Sequence, residues 1–124
     1  MQDYRKLKVW HEAHANLLDI RKATNRFPRT GYATLKNQLI GAAESIVFNI
    51  VEGCGSATQK EFARFLDISI KSSSETEYQL QLARDYGILP IPDWETLSGK
   101  TVLIRKMLCT LRAKVLETIE GGEE

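Results

Sequence analysis

Two cysteines, three prolines and two histidines are all this chain offers of the residues that staple, break or ligate. Cys54 and Cys109 are too few and too far apart for a disulfide framework; they suit a reducing compartment and are expected as buried thiols. Three prolines and eight glycines in 124 residues leave little basis for disorder. Charge of one sign is also lacking: 17 basic against 16 acidic residues give a net charge of +1, no global reason to expect nucleic acid. No apolar run approaches the roughly 20 residues that cross a bilayer. Met1 to Lys8 lacks the apolar stretch and small-residue cleavage site of a secretory leader. These absences predict one soluble, cytoplasmic domain over residues 1–124, with no membrane partner.

What the chain does contain is helical periodicity. Trp10, Ala13, Leu17, Ile20, Thr24 and Phe27 recur at alternating steps of three and four, which predicts a helix over 7–27 ended by Phe27-Pro28. Over 33–53, an apolar seam of Leu39, Ala43, Ile46 and Ile50 runs beside a small and polar one of Gln38, Ala42, Ser45, Asn49 and Glu52, the pattern of an interior helix. Gly53-Cys54-Gly55 reads as C-cap glycines, and Thr58-Gln59-Lys60-Glu61 as a capping box opening a helix over 58–86. That third helix is apolar at its ends and hydroxyl-rich between, with Ser69, Ser72, Ser73, Ser74 and Thr76, each of which needs a partner if buried. Gly87, Pro90 and Pro92 separate it from a fourth helix over 92–120, whose stripe is Leu97, Thr101, Ile104, Leu108, Leu111, Val115 and Thr118. Four long helices, short loops and no strand-like alternation predict an all-α, up-down-up-down four-helix bundle. Leu103, Met107 and Leu116 lie off the fourth helix's stripe and are expected as surplus apolar surface for self-association.

Catalytic and metal constellations fail on spacing. His11 and His14 stand three apart, whereas a zincin helix needs them four apart with a third ligand, and no Glu-x-x-His motif of a di-iron bundle is present. Gly53-Cys54-Gly55-Ser56 lacks the Lys-Ser/Thr ending of a phosphate loop, so capping is the better reading. Cys54 has no His or Asn placed to make it a nucleophile. The expectation is a protein that is not an enzyme and has no metal, cofactor or small-molecule substrate.

Ionic and polar residues carry the remaining information. Antiparallel pairing about residues 56 and 90 sets Glu75 level with Arg105, with Gln38 in reach, so Gln38, Asn49, Glu52, Glu75, Gln79 and Arg105 are expected as a buried network fixing register, or as a polar pocket. Residues 1–36 hold eight basic against three acidic side chains, while 37–99 hold four against nine. Arg105 and Arg112 fall on one flank of the fourth helix and Lys100 and Lys114 on the other, the arrangement of charges that choose helix partners. Repetition in an oligomer is expected to gather Arg5, Lys6, Lys8 and Arg112 into a ring able to hold RNA by its backbone.

The ordered set Leu7-Lys8-Val9-Trp10 with Ala13, Phe27-Pro28, Ala42-Ala43, Ser45-Ile46, Asn49-Ile50-Val51-Glu52-Gly53 with Gly55, Phe65-Leu66, Ser72, Glu75, Glu77, Gln79-Leu80 and Gly87-Ile88 resembles the four-helix-bundle proteins encoded within 23S ribosomal RNA intervening sequences. The resemblance spans Leu7 to Ile88 and implies a homopentamer without established enzymatic activity, related to accessory proteins of retroelement reverse transcriptases whose basic pentamer contacts nucleic acid. Ile40-Gly41 stands where such proteins often carry a basic pair. RNA or the ribosome is the partner this implies; a purely structural or protein-binding oligomer is the alternative.

Overall fold

The computed structural model describes residues 1–122. A short 3-10 turn, Tyr4–Lys6, precedes α1 (Lys8–Thr24), α2 (Ala33–Cys54), α3 (Gln59–Asp85) and α4 (Ile91–Glu120). Each helix packs on its two neighbours around a ring, α1 on α2, α2 on α3, α3 on α4 and α4 on α1, and neither diagonal pair closes among the described residues. That is the expected up-down-up-down bundle.

The helix ends show their chemistry. Thr58 Oγ1 accepts from the Glu61 amide at 3.2 Å, capping α3 as its sequence predicts. Gly87 takes φ of +78° after α3, a left-handed turn that glycine adopts without steric cost, and the Ile88 and Leu89 amides both return to the Ala83 carbonyl. α1 stops at Thr24, earlier than the periodicity implied. Phe27 continues as a turn, its amide bonded to the Thr24 carbonyl, while its ring stays buried. Of the two cap glycines, Gly55 is the C-cap of α2, with φ of −81°, and Gly53 is not, because α2 runs through it to Cys54. The bareness of Gly53 serves packing instead, since a Cβ there would lie 2.8 Å from Phe62 Cδ1 and 3.2 Å from Phe65 Cβ.

The core is divided. One apolar cluster, including Val9, Ala13, Ile46, Ile50, Phe62, Leu66, Ile104 and Leu108, fills the end of the bundle near the N-terminus. A second, including Ile20, Phe27, Leu35, Leu39, Leu80, Leu89 and Leu97, fills the other end. A fully buried Leu or Ile contributes about 2–3 kcal/mol by leaving water, so these clusters drive folding. Between them lies a belt of buried polar side chains: Asn16 on α1, Ser69, Ser73 and Thr76 on α3, and Thr101 on α4. Most hydroxyls are satisfied by their own helix, Thr76 by the Ser72 carbonyl, Thr101 by Leu97 and Ser73 by Ile70. Two bonds cross between helices: Ser69 Oγ donates to the Ile46 carbonyl at 2.8 Å, and Asn16 Nδ2 donates to Thr101 Oγ1 at 3.0 Å.

Asn16 was invisible to the periodicity, which placed Trp10 and Leu17 on the inner stripe. Val9 and Asn16 take those inner positions, and Trp10 and Leu17 are half-buried on the flank toward α2. The amide leaves Oδ1 without a hydrogen-bond partner among the described residues, so its burial costs stability that one bond to Thr101 offsets only in part. Replacing such a group with an apolar one of similar shape is neutral or favourable. Asn16→Leu is therefore expected to raise unfolding stability by about 1 kcal/mol in urea titration; a loss of similar size would show that the amide is a net stabiliser.

Candidate nucleic-acid interface

The first turn of α1 and the C-terminal half of α4 lie side by side and leave a groove of about 340 Å³ between them. Leu7, Val9, Met107 and Leu111 line its apolar part, Val9 belonging to the core cluster near the N-terminus and the other three packing on it, while Lys8, Lys106 and Lys114 stand around it. All three lysines are exposed and none has an ion pair among the described residues. They come from positions some hundred residues apart in sequence, joined only by the α1–α4 packing.

The other cations of α4 are committed. Arg105 Nη1 meets Glu77 Oε1 of α3 at 2.7 Å, Arg112 Nε lies 2.5 Å from Asp67 Oδ1 of α3, and Lys100 Nζ stands 3.5 Å from Asp19 Oδ2 of α1. The Arg112 pair is close in distance without hydrogen-bond alignment. The flank of Arg105 and Arg112 thus faces acids of α3, while on the other flank Lys100 meets an acid of α1 and Lys114 stays unpaired among the described residues. Arg112 accordingly points away from Lys8 and does not join the N-terminal basic residues within one chain.

The N-terminal segment is held in place by its backbone. The Gln2 amide donates to the Cys54 carbonyl at 2.8 Å, Asp3 Oδ1 caps the 3-10 turn through the Arg5 amide, and His11 Nε2 sits 2.6 Å from the Arg5 carbonyl. A carbonyl only accepts, so that ring nitrogen carries the proton. Arg5 also lies 3.5 Å from Asp3, both side chains exposed, and Lys6 is exposed beside it.

The expected Glu75–Arg105 pair is corrected: the acid is Glu77. Two residues along an α-helix turn about 200° around its axis, so Glu77 faces α4 while Glu75 faces the α2 side. There Glu75, Gln38, Gln79, Ser45, Ser72 and Gly41 line an open trough of about 590 Å³. Gln38, Glu52 and Glu75 are exposed, so the six residues are not one buried network. The seam is tied instead by Ser45 Oγ to Ser72 Oγ at 2.7 Å, with Asn49 Nδ2 donating to Ser45 Oγ and to the Ser45 carbonyl. Cys54 is buried, which pushes its thiol pKa up and works against nucleophilic chemistry, whereas Cys109 is exposed rather than buried as expected. Among the described residues no cluster of three or more His, Cys, Asp or Glu could hold a metal, and no helix is long and apolar enough to cross a membrane.

The sequence profile of the 23S rRNA-intervening sequence protein family matches residues 5–110. The chain belongs to this family. The match begins at the basic N-terminal turn and reaches Thr110 in α4, so both sides of the lysine groove fall largely within the intervening-sequence family's span. A crystal structure of a protein of unknown function from the S23 ribosomal protein family of Bacteroides thetaiotaomicron has the same fold, with a TM-score of 0.79 at 21% identity, covering 84% of this chain and 97% of that one. No protein of curated function matches the chain.

For this family member the α3–α4 register is open to a direct check. Glu77→Ala breaks a half-buried charged hydrogen bond and is expected to cost on the order of 1–2 kcal/mol, whereas Glu75→Ala, on an exposed acid, should change stability by less than about 0.5 kcal/mol. Chemical denaturation of both variants measures this, and equal losses would contradict the pairing.

Proposed function

We propose that this intervening-sequence family protein is a non-enzymatic homo-oligomer that holds structured RNA through the phosphate backbone, with Lys8, Lys106 and Lys114 as the contact patch and Arg5 and Lys6 extending it. The observation that carries the reading is the convergence of three unpaired lysines on one groove in a bundle whose other α4 cations are neutralised across helix interfaces. Lysine presents a mobile point charge suited to phosphate without sequence readout. Arg112, engaged by Asp67, is left out of the set.

Self-association rests on exposed apolar side chains. Leu103 is 49% exposed, with Leu18 at 48% and Phe48 at 57%. Met107 and Leu116, expected beside Leu103, pack instead against the core cluster near the N-terminus, so the surplus on α4 is narrower than the sequence implied. A pentamer is the order that the family resemblance favours. Light scattering at micromolar concentration is expected to return a mass several times the 14.1 kDa chain; a monomer alone would remove the oligomer from the proposal.

RNA binding has its own signature. The logarithm of affinity for a stem-loop RNA should fall linearly with the logarithm of salt concentration, and replacing Lys8, Lys106 and Lys114 together with glutamine should flatten the slope by about 3, roughly one per lost phosphate contact. The Arg112→Gln variant should leave it unchanged. Absence of binding at low salt would favour the second reading, a protein-binding scaffold presenting the α2–α3 trough.

A further inference from the structure

At the N-terminal end of α1, on the flank away from the lysine groove, four planar groups follow one another as a ladder. The Arg5 guanidinium carbon lies 5.0 Å from the Tyr4 ring centroid, Tyr4 lies 5.0 Å from Trp10 with the two rings tilted by 56°, and Trp10 lies 4.9 Å from His14 with the rings 9° from parallel, the one stacked pair of the series. The inner rungs, Tyr4 and Trp10, are half-buried; the outer rungs, Arg5 and His14, are exposed, the Arg5 side chain to 69%. His11 closes the ladder from the side, its ring edge-on to Trp10 and its Nε2 bonded to the Arg5 carbonyl, which fixes the 3-10 turn against α1. The half-buried rungs account for holding the N-terminal turn. They do not account for an exposed imidazole laid flat on the indole, at the end of the bundle where Lys6 and Lys8 are also exposed.

We infer that the ladder is a stacking platform for one unpaired base of a bound RNA, taken at the His14 end, with Lys6 and Lys8 on the neighbouring phosphates. Histidine rings and guanidinium planes are the surfaces on which splayed-out bases of loops and bulges stack, and a base on His14 continues the stack that His14 already makes on Trp10. This rests on the RNA reading above and adds to it: phosphate contacts hold any RNA, whereas the ladder selects one with an unpaired base at reach of the lysines.

The test compares two stem-loop RNAs of equal length and phosphate number, one with an unpaired adenosine in its loop and one with an abasic site at that position. The protein is expected to prefer the first by roughly tenfold, with the same salt slope for both. The chain has two histidines, so the His14 ring-proton resonances are assignable by comparison with His11→Gln, and they should move upfield with the adenosine RNA and stay in place with the abasic one. His14→Ala, an exposed substitution, should abolish the preference while preserving the fold and salt slope. Equal affinity for both RNAs with unmoved His14 resonances would overturn the platform and leave the phosphate reading standing. Binding to neither RNA would overturn both.

Discussion

Asn16 and Thr101 meet at the depth where the two apolar clusters stop, and the bundle's register depends on that meeting. Two purely apolar cores tolerate sliding, because a shift of one helix by a turn again presents apolar side chains to apolar side chains. A polar belt does not, since a slid helix would leave Asn16 or Ser69 facing leucines with no acceptor. Polar links then recur around the ring. Asn16 to Thr101 and Asp19 to Lys100 join α1 and α4; Ser69 to Ile46 and Ser45 to Ser72 join α2 and α3; Glu77 to Arg105 and Asp67 to Arg112 join α3 and α4. Near the N-terminus, the Gln2 amide on the Cys54 carbonyl pins the leading segment to the end of α2.

The same constraint sorts the surface. Once the belt fixes how α4 is rotated, residues seven apart return to nearly one face, so Arg105 and Arg112 both meet acids of α3. Lys100 turns to α1, and Lys106 and Lys114 are left beside the first turn of α1. The groove is thus a consequence of helix register rather than of a local motif. No segment of sequence contains it: Lys8 and Lys114 sit near opposite ends of the chain and are adjacent only because α1 and α4 run antiparallel.

Helix number, order and topology were legible because apolar spacing, Pro28, Thr58, Gly87 and Pro90 speak for themselves. Rotation about the helix axis was harder. A residue advances about 1.5 Å along a helix but turns about 100° around it, so a level estimate forgives an error of two residues and a facing estimate does not. Glu75 and Glu77 show the difference: the level opposite Arg105 was right and the side was wrong. Trp10 shows it again, since its spacing put it on the inner stripe while its neighbour Val9 took the inward position. Gly53 misled for another reason. Glycine near a helix end signals a cap, but here the demand is space for Phe62, a contact that pairing of α2 with α3 creates. Asn16 carried no signal of burial, because an asparagine among apolar residues reads as surface until its Thr101 partner is placed.

A net charge of +1 would argue against RNA if charge were spread evenly, but the fold separates it. α2 and α3 carry seven acidic against five basic side chains, and Asp93 and Glu95 add acid at the start of α4, while the lysine groove lies between the first turn of α1 and the C-terminal half of α4. Neighbouring helix axes stand roughly 8–10 Å apart, so the outward faces of opposite sides are separated by about two such spacings plus side chains. The screening length at physiological salt is about 8 Å. An anion at the lysines therefore senses Lys8, Lys106 and Lys114 and little of the acids beyond the core, and local charge governs the proposed contact. Low ionic strength lengthens the screening distance and lets the acidic side act. Affinity should then rise less steeply below about 20 mM salt than the phosphate count alone requires, a curvature that distinguishes a charge-segregated bundle from a uniformly basic one.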